Sequence, residues 1–411
     1  MERVIIIGGG AAGLAAAIAA AECGDRVTVL ERMDRVGRKL LATGNGRCNL
    51  MNTGSPRYPG GSEMAERVLA LCGPEEQRRF WLRHGLPLRQ EEGGRVYPVS
   101  GQASSVLDVL RLNAEALGVD TLTETEARQL RPGRHGWTVV TDARELRCDR
   151  VIVAGGGCAQ PKLGSNGSCY ALLEALGHTL VKPRPVLCQL ETETQPIRGL
   201  SGIRVRCGVS ILRKGSPVHR ETGELLFADY GVSGVCVMQC ARFAQTGDRL
   251  SIDLLSGLGL TEEDAQRLLR QSIRQRPEQE LETLLTGLTV PRLGLALMKA
   301  AGVMAKGRRM ADLRENELQA LCRTLADFGL RVTGSRGFDQ AQVTAGGIRC
   351  GEFEPTRMAS RLAEGLHAAG EVLDVDGDCG GFNLMFAFGS GILAGLNGRV
   401  PNDSEESYVC H

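Results

Sequence analysis

Val4-Ile5-Ile6-Ile7-Gly8-Gly9-Gly10-Ala11-Ala12-Gly13 is the stretch on which the fold turns. Four β-branched residues in a row predict a strand buried on both faces, as in a parallel sheet. They run straight into G-x-G-x-x-G. The alanine-rich run from Leu14 to Cys23 predicts a helix, Gly24-Asp25 a turn, and Arg26-Val27-Thr28-Val29-Leu30 a second strand closed by Glu31. Each part has a task in binding a dinucleotide. Gly8 permits the sharp strand-to-helix turn, Gly10 lets the backbone approach a pyrophosphate, and Gly13 lets helix and strand pack closely. The helix N-terminus, at Ala11 and Ala12, presents free amides and a positive dipole end to the phosphates. Glu31 accepts hydrogen bonds from a ribose 2′-OH and would repel a 2′-phosphate. Arg32 follows it as a further cofactor contact. A lone glycine pattern is weak evidence, but here strand, turn, helix, second strand and terminal acid fall in register.

The rest of the chain sets bounds. At 411 residues it is too long for one ordinary core and predicts two or three domains. A net charge of +1 offers no electrostatic capture of nucleic acid or of an anionic membrane. No apolar run is long enough to span a bilayer, and the N-terminus leads into a phosphate loop rather than a signal-peptide cleavage site; the expected location is cytoplasmic. The 14 cysteines are scattered without a C-x-x-C pair, so neither a zinc site nor a disulfide-reducing centre is expected, and no metal is. Cys236 and Cys240, four apart, read as two small apolar residues in a core.

Residues 35–52 hold three glycines, two asparagines bracketing Arg47-Cys48, and several cations, so they read as a loop that wraps a ligand. Arg38 and Lys39 lie where a pyrophosphate or ribityl chain would pass. Asn45, Gly46, Arg47 and Asn49 supply donors and a close backbone for a flavin edge or a substrate anion. The run from Gly37 to Asn49 resembles the signature G-[RK]-K-x-x-x-[ST]-G-x-G-R-C-N of a bacterial FAD flavoprotein family, the aminoacetone-oxidase or bile-acid dehydro-reductase-like enzymes. Further blocks carry the resemblance along the chain: Arg95–Leu107, Val151–Gly157, Gly223–Gly234, Val343–Ile348, and Gly370-Glu371-Val372-Leu373-Asp374 with Gly380-Gly381-Phe382-Asn383. The chain departs from the pattern at Ala228-Asp229, at Val235 and at Gly155. The resemblance implies FAD as cofactor, NAD(P)H as a plausible transient electron donor, and a small-molecule substrate, enone-like or a small amine. It also implies that the backbone near Ala127 meets the adenine.

Residues 63–85 and 104–117 read as helices, Val119–Thr123 as a strand, and Trp137–Val140 with Glu145–Cys148 as a hairpin. Asp149 to Ala154 is a further buried strand ending at Gly155-Gly156-Gly157, where close backbone contact with the cofactor is the favoured reading. From about Gln189 short strands alternate with turns, and residues 262–329 read as mostly helical. The expected fold class is therefore α/β. A discontinuous Rossmann-like FAD-binding domain spans 1–188 and 343–411. An inserted β-rich substrate domain spans 189–342 and carries a helical subdomain over 261–330. The tail Pro401–His411 is expected to fray.

In the last block, Gly370, Glu371 and Asp374 would hold the ribityl or pyrophosphate region. Gly380-Gly381-Phe382-Asn383 opens a helix whose N-terminus would stabilise negative charge on a reduced flavin ring. No second glycine fingerprint follows, so a dedicated NAD(P)H domain is not expected. Three residues are candidates for catalysis. Cys48 could be a reactive thiol or a covalent flavin anchor, although a packed small residue is the favoured reading. Arg47 could pair with a substrate carboxylate or with an acid in its own loop. Tyr230 could donate a proton, with packing favoured. The expected activity is an FAD-dependent oxidoreductase, a reductase or dehydrogenase rather than an oxidase. The alternatives are an amine oxidase, or a flavoprotein acting on RNA or protein, for which Arg267, Arg270, Arg274 and Arg276 would be a local basic patch.

Overall fold

Strand β1 (Arg3–Ile7) forms because Val4 to Ile7 can bury every side chain, and all four are at most 5% exposed. In this computed structural model, which describes residues 1–400, β1 lies inside a parallel sheet. The expected fraying of Pro401–His411 lies outside the described residues. Helix α1 (Ala11–Glu22) follows, then strand β2 (Arg26–Leu30), parallel to β1. On the other flank of β1 the strand Arg150–Val153 pairs in parallel, and Leu366–Ala368 pairs in parallel beyond it. Asp120–Leu122 closes the β2 edge, and two short antiparallel strands, Phe353–Glu354 and Ala359–Ser360, close the other.

The alanines of α1 have a packing reason. The helix Phe382–Leu396 lies against α1 at backbone distance: a Cβ built on Gly391 would stand 2.3 Å from the Ala12 carbonyl oxygen, and one on Gly395 2.4 Å from that of Ala16. Small residues on both helices permit this approach, which buries α1 from Ala12 to Ala20.

The described chain divides into two compact units. One comprises Met1–Pro185 and the chain from Gln342 onward; the other is Val186–Ala341. The second unit is a closed barrel in the order Leu190–Thr192, Gly231–Ser233, Ser216–Ala228, Arg204–Arg213, Arg249–Asp253, Phe328–Ser335. Val209, Ile211, Leu225, Phe227, Leu250, Ile252 and Leu330 are buried in it. Thr261 and Asp264 cap the helix Glu262–Gln275 reciprocally, and Pro291 opens the helix Pro291–Ala300.

Several expectations need correction. The helix expected over 63–85 is two, Ser62–Leu71 and Pro74–Arg83, because Gly73 turns extended and Pro74 has no amide to continue a helical ladder. The hairpin at 137–148 is a three-stranded sheet, joined by Ala127–Gly133, whose polar outer residues and Pro132 hid its alternation. The strand expected at Gly223–Phe227 begins at Ser216, since one of its faces is polar. The helical subdomain does not reach residue 330: the helix Glu315–Ala326 ends there and Phe328 starts a barrel strand.

Candidate functional site

The turn between β1 and α1 is built by collisions that only glycine avoids. Gly8 adopts φ 106°, and a Cβ there would lie 2.6 Å from the Ala154 oxygen; one on Gly13 would lie 1.9 Å from the Gly8 oxygen. Gly10 differs: a Cβ on it meets nothing within 4 Å. It caps α1 in extended conformation, with no side-chain cap and no acid in the first turn. The first amide to bond back is that of Leu14, to the Gly10 oxygen at 3.0 Å. The amides of Ala11, Ala12 and Gly13 therefore lack a helical partner and face the open side of Gly10 with the dipole's positive end. Glu31 is anchored by backbone: Oε2 accepts from the Gly9 amide (2.9 Å) and Oε1 from the Met33 amide (2.8 Å). A carboxylate accepts about four hydrogen bonds, so acceptor positions remain for a diol.

A second cluster ties four segments together. Lys39, on α2 (Arg38–Ala42), donates to Glu371 Oε2 at 2.7 Å; Glu371 Oε1 accepts from the Thr344 amide at 2.7 Å. Thr344 Oγ1 accepts from the amides of Cys158 and Ala159 at 2.8 and 3.0 Å. Thr344 was not among the residues singled out from sequence, though a buried threonine in the apolar strand Val343–Ile348 was a usable signal. Asn52 was missed too; it donates to the Gly380 oxygen (2.9 Å) and accepts from the Gly54 amide. Arg32 bonds the Gly164 oxygen, and Arg38 pairs with Asp34 at 3.2 Å, so both cations are engaged by the protein itself.

The structure revises other site readings. At Gly155 and Gly156 the protein's own packing also requires glycine: a Cβ would stand 2.1 Å from Cys169 Sγ and 2.8 Å from Ser165 Oγ. Gly157 likewise meets Thr344 Oγ1 at 2.4 Å, and Gly370 meets the Ala12 methyl at 2.8 Å. Ala154 is buried beside this turn, and Ala127 is buried at the start of its strand, opposite Thr141. The Asn383 side chain is spent on its own turn, bonding Gly377 N, Gly377 O and Asp378 O. Gly380 and Gly381 both have positive φ; Gly381 packs on the Met51 oxygen, and the Phe382 oxygen accepts from Tyr58. The Asp374 carbonyl oxygen accepts from Cys350. Asn45 is exposed in left-handed conformation next to Gly46.

Among the catalytic candidates, Arg47 pairs with Glu91 at 2.6 Å and lies 4.1 Å over the Tyr97 ring, so its guanidinium is held by an acid from outside its own loop, 44 residues on. Tyr230 belongs to the second unit, with the Arg336 guanidinium over its ring. Cys48 is fully buried, and burial pushes its thiol up to about 12 against one bond with Thr43. Burial and the raised thiol favour the packed reading of Cys48 over a nucleophile or flavin anchor. Iodoacetamide is expected to spare Cys48 in the folded protein and to label it after unfolding, as peptide mapping would show; Cys48→Ala should retain its flavin. Native labelling at the rate of a free thiol would contradict this.

Residues 2–397 match the family model described as HI0933-like protein Rossmann domain. The chain belongs to the HI0933-like family. A 3-dehydro-bile acid delta(4,6)-reductase from Clostridium scindens is 36% identical to this HI0933-like chain over 406 residues, covering 96% of the chain and 98% of the relative. A ribosomal RNA dihydrouridine synthase from Escherichia coli is 29% identical over 405 residues, covering 95% and 96%. Among solved structures, an open flavocytochrome c3 fumarate reductase aligns with a TM-score of 0.50 at 17% identity, over 97% of this chain and 78% of that one, a likeness of fold. The HI0933-like chain is an FAD-dependent oxidoreductase. The cradle fits FAD: Gly10 leaves the room a pyrophosphate needs, the α1 amides are uncapped, and Glu31 keeps acceptor positions for the ribose. Among the described residues no helix is long and apolar enough to cross a membrane, and no cluster of acids, histidines and cysteines could hold a metal.

Proposed function

We propose that the protein is a reductase of small molecules bearing a carbon–carbon double bond conjugated to a carbonyl, with NAD(P)H as the electron source. The observation that carries this reading is the 36% identity, across essentially both chains, to a reductase whose name describes such a substrate. Making dihydrouridine also saturates a double bond conjugated to a carbonyl, so the two kinds of relative share a reaction type. When bound, FAD supplies hydride transfer at N5. The protein's part is to hold and polarise. The α1 amides and Gly10 would hold the pyrophosphate, Glu31 the adenosine ribose, and Lys39 with Glu371 the ribityl region. The helix Phe382–Leu396 starts at Gly381 without a side-chain cap or an acid in its first turn. Its free amides would steady negative charge at the flavin pyrimidine edge.

A second reading, action on ribosomal RNA, is favoured by the two dihydrouridine synthases at 29% and 28% identity. The local charge speaks against it. On the helix Glu262–Gln275, Arg267 is paired with Asp264 and Arg270 with Glu315, which halves the basic patch this reading would use. Anaerobic titration separates the readings. NADH or NADPH should bleach the flavin, and a conjugated 3-oxo steroid diene should restore its colour. Bleaching by small amines alone, with peroxide formed on admitting air, would make it an amine oxidase. Salt-sensitive filter binding of ribosomal RNA, with loss of uridine, would establish the RNA reading instead.

A further inference from the structure

In the second unit, the strand Arg204–Arg213 pairs antiparallel with Ser216–Ala228, and Cys207 lies directly opposite Gly223. Facing side chains in such a pair have Cβ atoms about 4.5–5.5 Å apart. Gly223 has none, and its place is filled from the helix Val235–Ala241: a Cβ built on Gly223 would lie 3.2 Å from Cys236 Cβ and 3.7 Å from Cys236 Sγ. The missing side chain is a notch that lets the helix settle onto the strand pair and brings the Cys236 thiol beside that of Cys207. Residues facing across an antiparallel pair share one face, so the Cys207 side chain lies on the face onto which Cys236 packs.

The start of the helix is pinned as well. Gly234, at φ 105°, packs so closely that a Cβ would be 2.1 Å from the Glu224 oxygen. Cys236 donates its S–H to the same oxygen at 3.3 Å. Cys240, one turn further along, donates to the Val209 oxygen and so addresses a different point of the strand.

We propose that Cys207 and Cys236 are a redox-active dithiol, oxidised by a small hydroperoxide to an intramolecular disulfide. Both residues are at most 2% exposed, which bars bulky disulfides such as oxidised glutathione and selects a small oxidant. Cys236 is the attacking sulfur: the bond from Cys207 outweighs burial and, with the amides at the helix start, holds its thiol below the usual range. The same contact and burial push Cys207 up. The Cys236 thiolate attacks one peroxide oxygen, the O–O bond breaks, and the departing hydroxide takes up a proton, leaving a sulfenic acid and water. The Cys207 sulfur then attacks that of Cys236; the S–S bond forms, the S–O bond breaks, and hydroxide leaves with the Cys207 proton as a second water. Two thiols lose two electrons and two protons, and the peroxide gains both. A disulfide needs Cβ atoms about 3.5–4.5 Å apart; the glycine notch sets the helix backbone close enough to the strand pair for this, and rotation about χ1 then aims the two sulfurs at each other.

The test reads thiols and mass rather than turnover. The folded holoprotein is treated with hydrogen peroxide, quenched with an alkylating reagent under denaturing conditions, and mapped without reduction. Two of the 14 thiols should be lost, the intact mass should fall by two hydrogens, and the peptides carrying Cys207 and Cys236 should be joined until dithiothreitol is added. Cys207→Ser and Cys236→Ser should each abolish the link, and Cys240→Ser should keep it. The wild-type map alone decides the matter if a variant fails to fold. Survival of both thiols, a link through Cys240, or sulfinic acid at Cys236 with Cys207 still free would overturn the proposal.

Discussion

Replacing Gly13 by alanine is expected to unmake the cofactor site from within. The new methyl would stand 1.9 Å from the Gly8 carbonyl oxygen, a backbone atom that cannot swing aside. Relief requires β1 and α1 to part at the turn that aims the helix N-terminus. The expected loss is at least about 3 kcal/mol of stability, the upper end for overpacking. FAD affinity should fall by at least about a hundredfold, equivalent to about 2.7 kcal/mol. Gly10→Ala should behave oppositely in one respect. Its methyl meets nothing in the folded chain, and φ −86° suits alanine, so the flavin-free protein should be as stable as the parent or about 0.4–1 kcal/mol more so. Its FAD affinity should still fall, because the methyl takes the space of the pyrophosphate. Denaturant melts of stripped protein and flavin-fluorescence titrations check both variants. Unaltered FAD binding by Gly10→Ala would show that the ligand does not lie there.

Arg150→Met should cost about 3–5 kcal/mol, the range for breaking a buried ion pair by removing one partner. Arg150 is 2% exposed at the start of the strand Arg150–Val153. Its guanidinium reaches Asp25 at 2.9 Å, Glu2 at 3.0 Å, and the carbonyl oxygens of Ala394 and Gly395 near the end of the last helix. The change would leave Asp25 with Arg399 as its cationic partner beside the Glu2 amide, and strip two carbonyls of a donor. Arg128→Met, which breaks an exposed pair with Asp142, should cost at most about 1 kcal/mol in the same urea melts. The network also sets an acid limit. Burial would raise the Asp25 carboxyl, but Arg399, the Glu2 amide and Arg150 outweigh it and hold it below its usual value. A carboxyl lowered by folding stabilises fully above its unfolded pKa of about 3.9, and that contribution fades as pH falls through the lower folded value. Asp25→Asn should therefore be less stable at neutral pH and lose less on acidification below about pH 4. An equal acid loss in both proteins would contradict the assignment.

The dinucleotide fingerprint was legible because its parts are local: strand, turn, helix and Glu31 fall within residues 3–31, and each needs a particular residue type. What was not legible depended on distant partners. Gly155 and Gly156 read as ligand-facing, and a second reason for glycine there, the atoms of Cys169 and Ser165, was hidden in distant sequence. Arg47 read equally as a substrate ligand until Glu91 and Tyr97 came beside it. Thr344 carried only its polarity within an apolar run as a local mark, since the amides it receives come from Cys158 and Ala159. The barrel was visible only as scattered strands, because closure pairs Leu190–Thr192 with Phe328–Ser335 across more than a hundred residues. Cys236 read with Cys240 as a small core residue, because its approach to Cys207 depends on Gly223, on a strand that only the fold brings beside it.

If residues 1–31 hold the ADP half of FAD, the flavin released from the denatured protein identifies itself. The purified protein is heat-denatured and the released flavin is identified and counted by chromatography. FAD, non-covalently held, is expected at one per chain. Release of FMN, flavin that stays with the denatured chain, or failure to bind FAD on reconstitution would contradict it.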